Sequence, residues 1–166
     1  MEIINRVSTS NLISFNLEEF YPQGERVALD IKDQLFEGMI LREKDFRAWL
    51  KEQDWATYKD KYVAIGCSED AIIPTWAYML LAIKLEPFAK FVVYGSLDAL
   101  EQAIWNKTFS EIDFSIFKDA KVVIKGCSKF DIPVYTYTEL TRILRPLAAS
   151  LMFGEPCSTV PLYKKL

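Results

Sequence analysis

The alternation of apolar and polar residues first becomes regular at Arg26–Lys32. Val27, Leu29 and Ile31 fall on one side, and Arg26, Ala28, Asp30 and Lys32 on the other. A period of two predicts a half-buried strand. Asp33-Gln34 then predicts a turn into a second strand around Leu35–Leu41, giving an N-terminal β-hairpin. Residues 1–24 show no period and read as irregular up to the Tyr21-Pro22-Gln23-Gly24 turn. Glu43–Gln53 carries Phe46, Trp49 and Leu50 on one face, the spacing of an amphipathic helix. Four short, unbroken apolar runs follow: Tyr62–Ile65, Phe91–Tyr94, Val122–Ile124 and Leu151–Phe153. Such runs suit strands covered on both faces, as in a parallel sheet. Helical stretches at Thr75–Ala89, Leu97–Asn106 and Val134–Ser150 lie between them, so the order predicts βαβ units and an α/β fold.

The pattern occurs twice. Lys59-Asp60, Val63, Ile65, Gly66-Cys67-Ser68 and Ile73-Pro74 recur as Lys118-Asp119, Val122, Ile124, Gly126-Cys127-Ser128 and Ile132-Pro133. The match continues with Tyr78 and Tyr137, Leu81 and Leu140, Leu85 and Leu144, Pro87 and Pro146, Gly95 and Gly154. A fixed period marks one supersecondary unit used twice. The expected organisation is a single domain, 1–166. Residues 1–57 form a hairpin-and-helix extension, and 58–95 and 117–154 form the two repeat units. Joined through right-handed crossovers, they predict one mostly parallel sheet of central order 2-1-3-4. Ligands bind such sheets outside the carboxyl ends of the strands, at the switch point between its halves.

The two repeat helices differ. Val134–Ala149 has one apolar stripe of Leu140, Ile143, Leu144 and Leu147, with Glu139, Arg142 and Arg145 facing water. Thr75–Ala89 is apolar at almost every position, which predicts burial on all sides, under the hairpin or in a homodimer.

Composition narrows the chemistry. A net charge of −3 without a basic stripe argues against nucleic acid. The longest apolar run, Ala71 to Ile83, is too short to span a bilayer, and Met1–Asn11 has no signal pattern, so a soluble cytoplasmic protein is expected. There is no histidine, which removes Ser-His-Asp and Cys-His catalysis and every His-ligated zinc site. Without a Gly-rich phosphate loop, nucleotide binding is not expected.

The candidate site is made of cysteines. All three occur as Cys-Ser directly after a predicted strand: Cys67, Cys127 and Cys157. The preceding glycines Gly66 and Gly126 are expected to allow a tight turn, through positive φ or a close backbone contact. The tail Cys157–Leu162 is expected to fold over the sheet end. Thiolates are soft ligands that select zinc, Cu(I) or iron–sulfur clusters. Three fall one short of a closed structural zinc site, and Asp70, Asp131 or Glu155 could supply the fourth ligand. A cubane cluster on three cysteines would leave one iron open. The alternatives are ordinary loop packing and a Cys67–Cys127 redox pair. Glu69 and Asp70 as a base, Tyr78 and Tyr137, and an Arg142/Arg145 anion clamp are weaker candidates. Glu139 at helical spacing gives Arg142 a partner already.

The segments Arg26–Arg47, Pro74–Met79, Val123–Ser128 and, most specifically, Met152–Lys164 resemble a bacterial family of uncharacterised cytosolic proteins. The resemblance covers nearly the whole chain. It implies a link to iron–sulfur cluster assembly, whose proteins would be the partners, and favours a cysteine-ligated cluster or a sulfur-handling thiol over plain structural zinc. Three readings follow: a three-cysteine metal or iron–sulfur protein serving cluster assembly or maturation; a thiol enzyme or persulfide carrier; and a non-catalytic dimeric binding module.

Overall fold

The structure, a computed structural model, describes residues 12–126, 128–155 and 158–166. The chain forms two compact units. One is continuous, Gln23–Ile104; the other is discontinuous, made from the chain up to Pro22 and from Trp105 to Leu166.

The continuous unit holds strands β2 (Arg26–Asp30), β3 (Tyr62–Gly66) and β4 (Phe91–Tyr94) in a parallel sheet of order β2-β3-β4. Helix α1 (Glu43–Glu52) separates β2 from β3, and α2 (Thr75–Leu85) separates β3 from β4. Leu29, Ile31, Phe46, Leu50, Trp55, Val63, Ile65, Ala77, Leu81 and Leu85 form its main core. Tyr62, Ala64, Leu100 and Ile104 form a second cluster, to which the start of α3 (Leu97–Ser110) contributes.

The discontinuous unit repeats this plan. Strands β1 (Leu12–Asn16), β5 (Lys121–Lys125) and β6 (Ser150–Glu155) are parallel neighbours in that order, and α4 (Val134–Leu144) joins β5 to β6. A fourth strand, β7 (Ser158–Lys164), closes the sheet antiparallel to β6. Pro161 is accommodated there because β7 is an edge strand with a register irregularity alongside it. Phe15, Leu17, Trp105, Phe109, Phe117, Val122, Ile124, Leu140, Leu144 and Leu151 are at the centre of the core.

The duplication therefore extends further than its identities. Phe46 and Leu50 of α1 recur as Trp105 and Phe109 in the second half of α3, and all four are buried. The 3₁₀ turn Trp55–Tyr58, capped by Asp54, recurs as Phe114–Phe117, capped by Asp113. Asp60 and Asp119 both take positive φ, 59° and 57°. Each repeat helix opens directly after a proline, Pro74 or Pro133. Each ends sooner than its apolar run predicts, because Pro87 and Pro146 lack the N–H needed to continue the helical ladder.

Three fold expectations are corrected. The order 2-1-3-4 is replaced by two sheets: β3 has β2 and β4 on its two edges, β5 has β1 and β6, and a strand has no third edge to offer. The N-terminal hairpin is absent, because β2 pairs in parallel with β3 and the chain leaves through a 3₁₀ turn at Lys32–Gln34. Leu35–Leu41 makes only an antiparallel bridge between Phe36 and Ile40 and a parallel one from Ile40 to Ile72. The hairpin therefore does not cover helix α2: Ala77, Leu81 and Leu85 are buried, while within the chain Met79 is 61% and Ile83 65% exposed. Among the described residues, no helix is long and apolar enough to cross a membrane.

Candidate functional site

The carboxyl end of β3 places Cys67 first after the strand. Its half-buried thiol is free and packs against the core of the continuous unit. The next residue is held from the neighbouring strand. Asp30, the last residue of β2, accepts the Ser68 backbone N–H at 3.1 Å and the Ser68 hydroxyl at 2.5 Å. The same carboxylate accepts the Lys32 N–H at 3.0 Å. The bond from the Ser68 hydroxyl is the main reason the Asp30 carboxyl lies below the ordinary aspartate range, with partial burial opposing it.

Two phenols complete the surroundings. Tyr78 on α2 meets Tyr94, at the end of β4, edge to face with ring centroids 4.8 Å apart. Burial raises the Tyr78 hydroxyl above its usual range, and the nearby Tyr94, Cys67 and Asp30 push it in the same direction. The discontinuous unit has the matching pair: Tyr137 on α4 and Phe153 on β6 lie edge to face at 5.7 Å.

The glycines work differently from expectation. Positive φ is found at Gly95 (136°) and Gly154 (121°), the residues that follow Tyr94 and Phe153. Gly66 and Gly126 lie outside that region, and a Cβ at either would meet its neighbours at ordinary distances, 3.6 Å or more. Nor do the two Gly-Cys-Ser loops occupy one slot. Strands and helices recur at a constant offset, but Gly-Cys-Ser in the second copy is displaced by one residue. In the register of the flanking elements, Cys67 corresponds to Gly126, and Ser68 to Cys127.

Cys127 and Cys157 themselves lie outside the described residues. Their flanks are described. Gly126 follows β5, and Glu155 and Ser158 are paired residues at the adjoining ends of β6 and β7. Strands β5 and β6 are parallel neighbours in register, Ile124 opposite Phe153. Lys125 Nζ lies 3.4 Å from Glu155 Oε2, linking the ends of the two strands. Residues 158–164 do not cover the sheet end; they run back along β6 as β7.

Asp70 and Asp131 are exposed in the loops after β3 and β5, and Glu155 is engaged by Lys125. Among the described residues, no group of three or more Cys, Asp or Glu side chains converges in a way that could hold a metal ion. Arg142 is bound to Glu139 at 2.6 Å, the partner its helical spacing suggests. Asp30 and Tyr94 escaped the sequence reading. Each is the last residue of its strand, and the alternation over Arg26–Lys32 places Asp30 on its polar side without marking where the strand ends.

The chain belongs to the family described as Protein of unknown function (DUF2480), whose model matches residues 1–165. No curated protein matches it. No solved structure matches it either.

Proposed function

We propose, taking membership of this uncharacterised family as the premise, that the protein is a cysteine-ligated metal protein. Cys127 and Cys157 supply ligands from adjacent strand ends, Cys67 is the third thiol, and Asp70, Asp131 or Glu155 completes the set. The bound group is zinc or an iron–sulfur cluster, the choice of soft thiolate ligands. Its service is cluster assembly or maturation, with assembly proteins as partners. One observation carries this reading. The Lys125–Glu155 pair joins the ends of β5 and β6 directly before the two Cys-Ser segments, and neighbouring strands are only ~4.8 Å apart. A persulfide carrier has less support. A sulfur-accepting thiolate favours a cationic setting, whereas Cys67 sits beside the Asp30–Ser68 bond and the Tyr78–Tyr94 pair.

The test is anaerobic purification followed by elemental analysis and visible absorption, on wild type and on Cys67→Ser, Cys127→Ser and Cys157→Ser. Retained metal or a cluster chromophore is expected in wild type, with sharp loss in the Cys127 and Cys157 variants. Wild-type protein that stays metal-free after anaerobic reconstitution with iron and sulfide, and with zinc, refutes the reading.

A second reading, a dimeric binding module, rests on one observation: Ile72, Met79 and Ile83 are 84%, 61% and 65% exposed along α2 and its approach. Sedimentation over a concentration series tests it.

A further inference from the structure

Two polar groups in the core of the discontinuous unit have no partner among the described residues. The indole N–H of Trp105 and the hydroxyl of Thr136 are buried and make no hydrogen bond. Both residues are wholly inaccessible to solvent and belong to one packed cluster. A buried polar group left unpaired is destabilising, so native interiors rarely leave one unanswered.

The internal duplication shows that neither group is required by the fold. The position of Trp105 is Phe46 in the continuous unit, and that of Thr136 is Ala77. One copy thus fills both positions with hydrocarbon. The other places a polar atom at both, and the two are chemically complementary. Indole offers one donor and no acceptor; a hydroxyl both donates and accepts. They lie on helices that meet at this level: Tyr135, next to Thr136, donates its hydroxyl proton to Oδ1 of Asn106, next to Trp105.

We propose that the discontinuous unit encloses an ordered water molecule bound between Trp105 and Thr136. The water accepts the indole N–H and donates to, or accepts from, the hydroxyl. Buried waters of this kind typically answer polar groups that the protein leaves unpaired, at about one per 27 residues. This one would lie beside the first turn of α4, which holds Thr136.

Thr136→Val decides the matter by sign, since it removes the hydroxyl and keeps the shape. If water links the two groups, the variant strips it of a partner and the melting temperature falls by ~2–4 °C. If the hydroxyl is simply unsatisfied, the variant relieves it and the melting temperature stays or rises, which overturns the proposal. A measurement on the unmodified protein stands beside it. A long-lived water should give a cross-relaxation signal to the Trp105 indole proton, lost in Thr136→Val. Absence of that signal in wild-type protein overturns the proposal whatever the variant's fate.

Discussion

Helices α2 and α4 start after the same proline, end before the same proline and bury the same three positions: Ala77, Leu81 and Leu85 in one, Thr136, Leu140 and Leu144 in the other. Their outer faces have parted. Met79 and Ile83 on α2 correspond to Thr138 and Arg142 on α4, and Ile72 before α2 corresponds to Asp131. The inner face answers in each copy to a parallel sheet of the same plan, so its apolar spacing persists. The outer face answers only to what lies beyond it. An apolar stripe kept on one copy and replaced by an ion-paired surface on the other separates folding requirements from surface function without any second protein.

The comparison breaks most visibly in the core. Leu81→Ala and Leu140→Ala remove the same fully buried side chain from each unit, and each should cost ~2–5 kcal/mol in chemical denaturation. A loss confined to one of them would show that the two cores are not equivalent. The next test is at the strand ends. A Cβ at Gly154 would lie 2.7 Å from the Ser158 carbonyl oxygen, and one at Gly95 would lie 2.9 Å from the Ala99 Cβ, both at positive φ. Gly154→Ala should therefore destabilise by ~1–3 kcal/mol, and more than Gly95→Ala, because a backbone carbonyl yields less than a side-chain methyl. Thermal melts of the two variants check the order.

The Asp30–Ser68 link sharpens the comparison through pH. Its counterpart in the other unit, by strand pairing, is Asn16, which cannot titrate. Because Asp30 is held below its ordinary value in the folded protein, its contribution is complete above a free aspartate's value of ~3.9. It is lost as pH falls through the lower folded value. The stability gap between wild type and Asp30→Asn should be constant from neutrality to about pH 5 and should shrink as pH falls further below the free aspartate value. A gap that widens on acidification contradicts the assignment. The smallest effect is expected at the surface. Met79→Thr with Ile83→Arg gives α2 the outer face of α4 and should leave stability within ~0.5 kcal/mol. Any self-association of the wild-type chain through this face should vanish, as read by sedimentation.

How much of this could be read in the residues follows from what each position must do. The repeat was legible from 58 to 95 and from 117 to 154, where turns and helix starts demand particular residues: Asp60 and Asp119 at positive φ, Pro74 and Pro133 before the helices. Further out only burial is shared. Phe46 against Trp105 and Leu50 against Phe109 preserve an inward face but no identity, so the kinship of α1 with α3 was invisible. The sheet order failed for a related reason. Strand β1 is short and sits in a segment that reads as irregular, yet it occupies the edge of β5 that a single sheet of order 2-1-3-4 would have given to β3. The apolar run of α2 was visible, but apolarity alone does not distinguish a helix enclosed by its own chain from one whose outer face the chain leaves exposed. Of the candidate site, the Cys67 loop was legible. Its tether was not, because Asp30 reaches it only through the parallel pairing of β2 with β3.

The split of one unit around the other has a consequence in time. Residues Gln23–Ile104 leave the ribosome as an unbroken stretch that holds both flanking partners of β3. Strand β1 is made earlier, but its hydrogen-bonding partner is β5, with Leu12 opposite Lys121. At ~5–20 residues per second, β1 waits several seconds before that partner exists. During synthesis the intervening unit can complete its own sheet before the strand that β1 needs has been made. The order of the elements along the chain thus sets a schedule in which the inner copy can close its sheet before the outer one can.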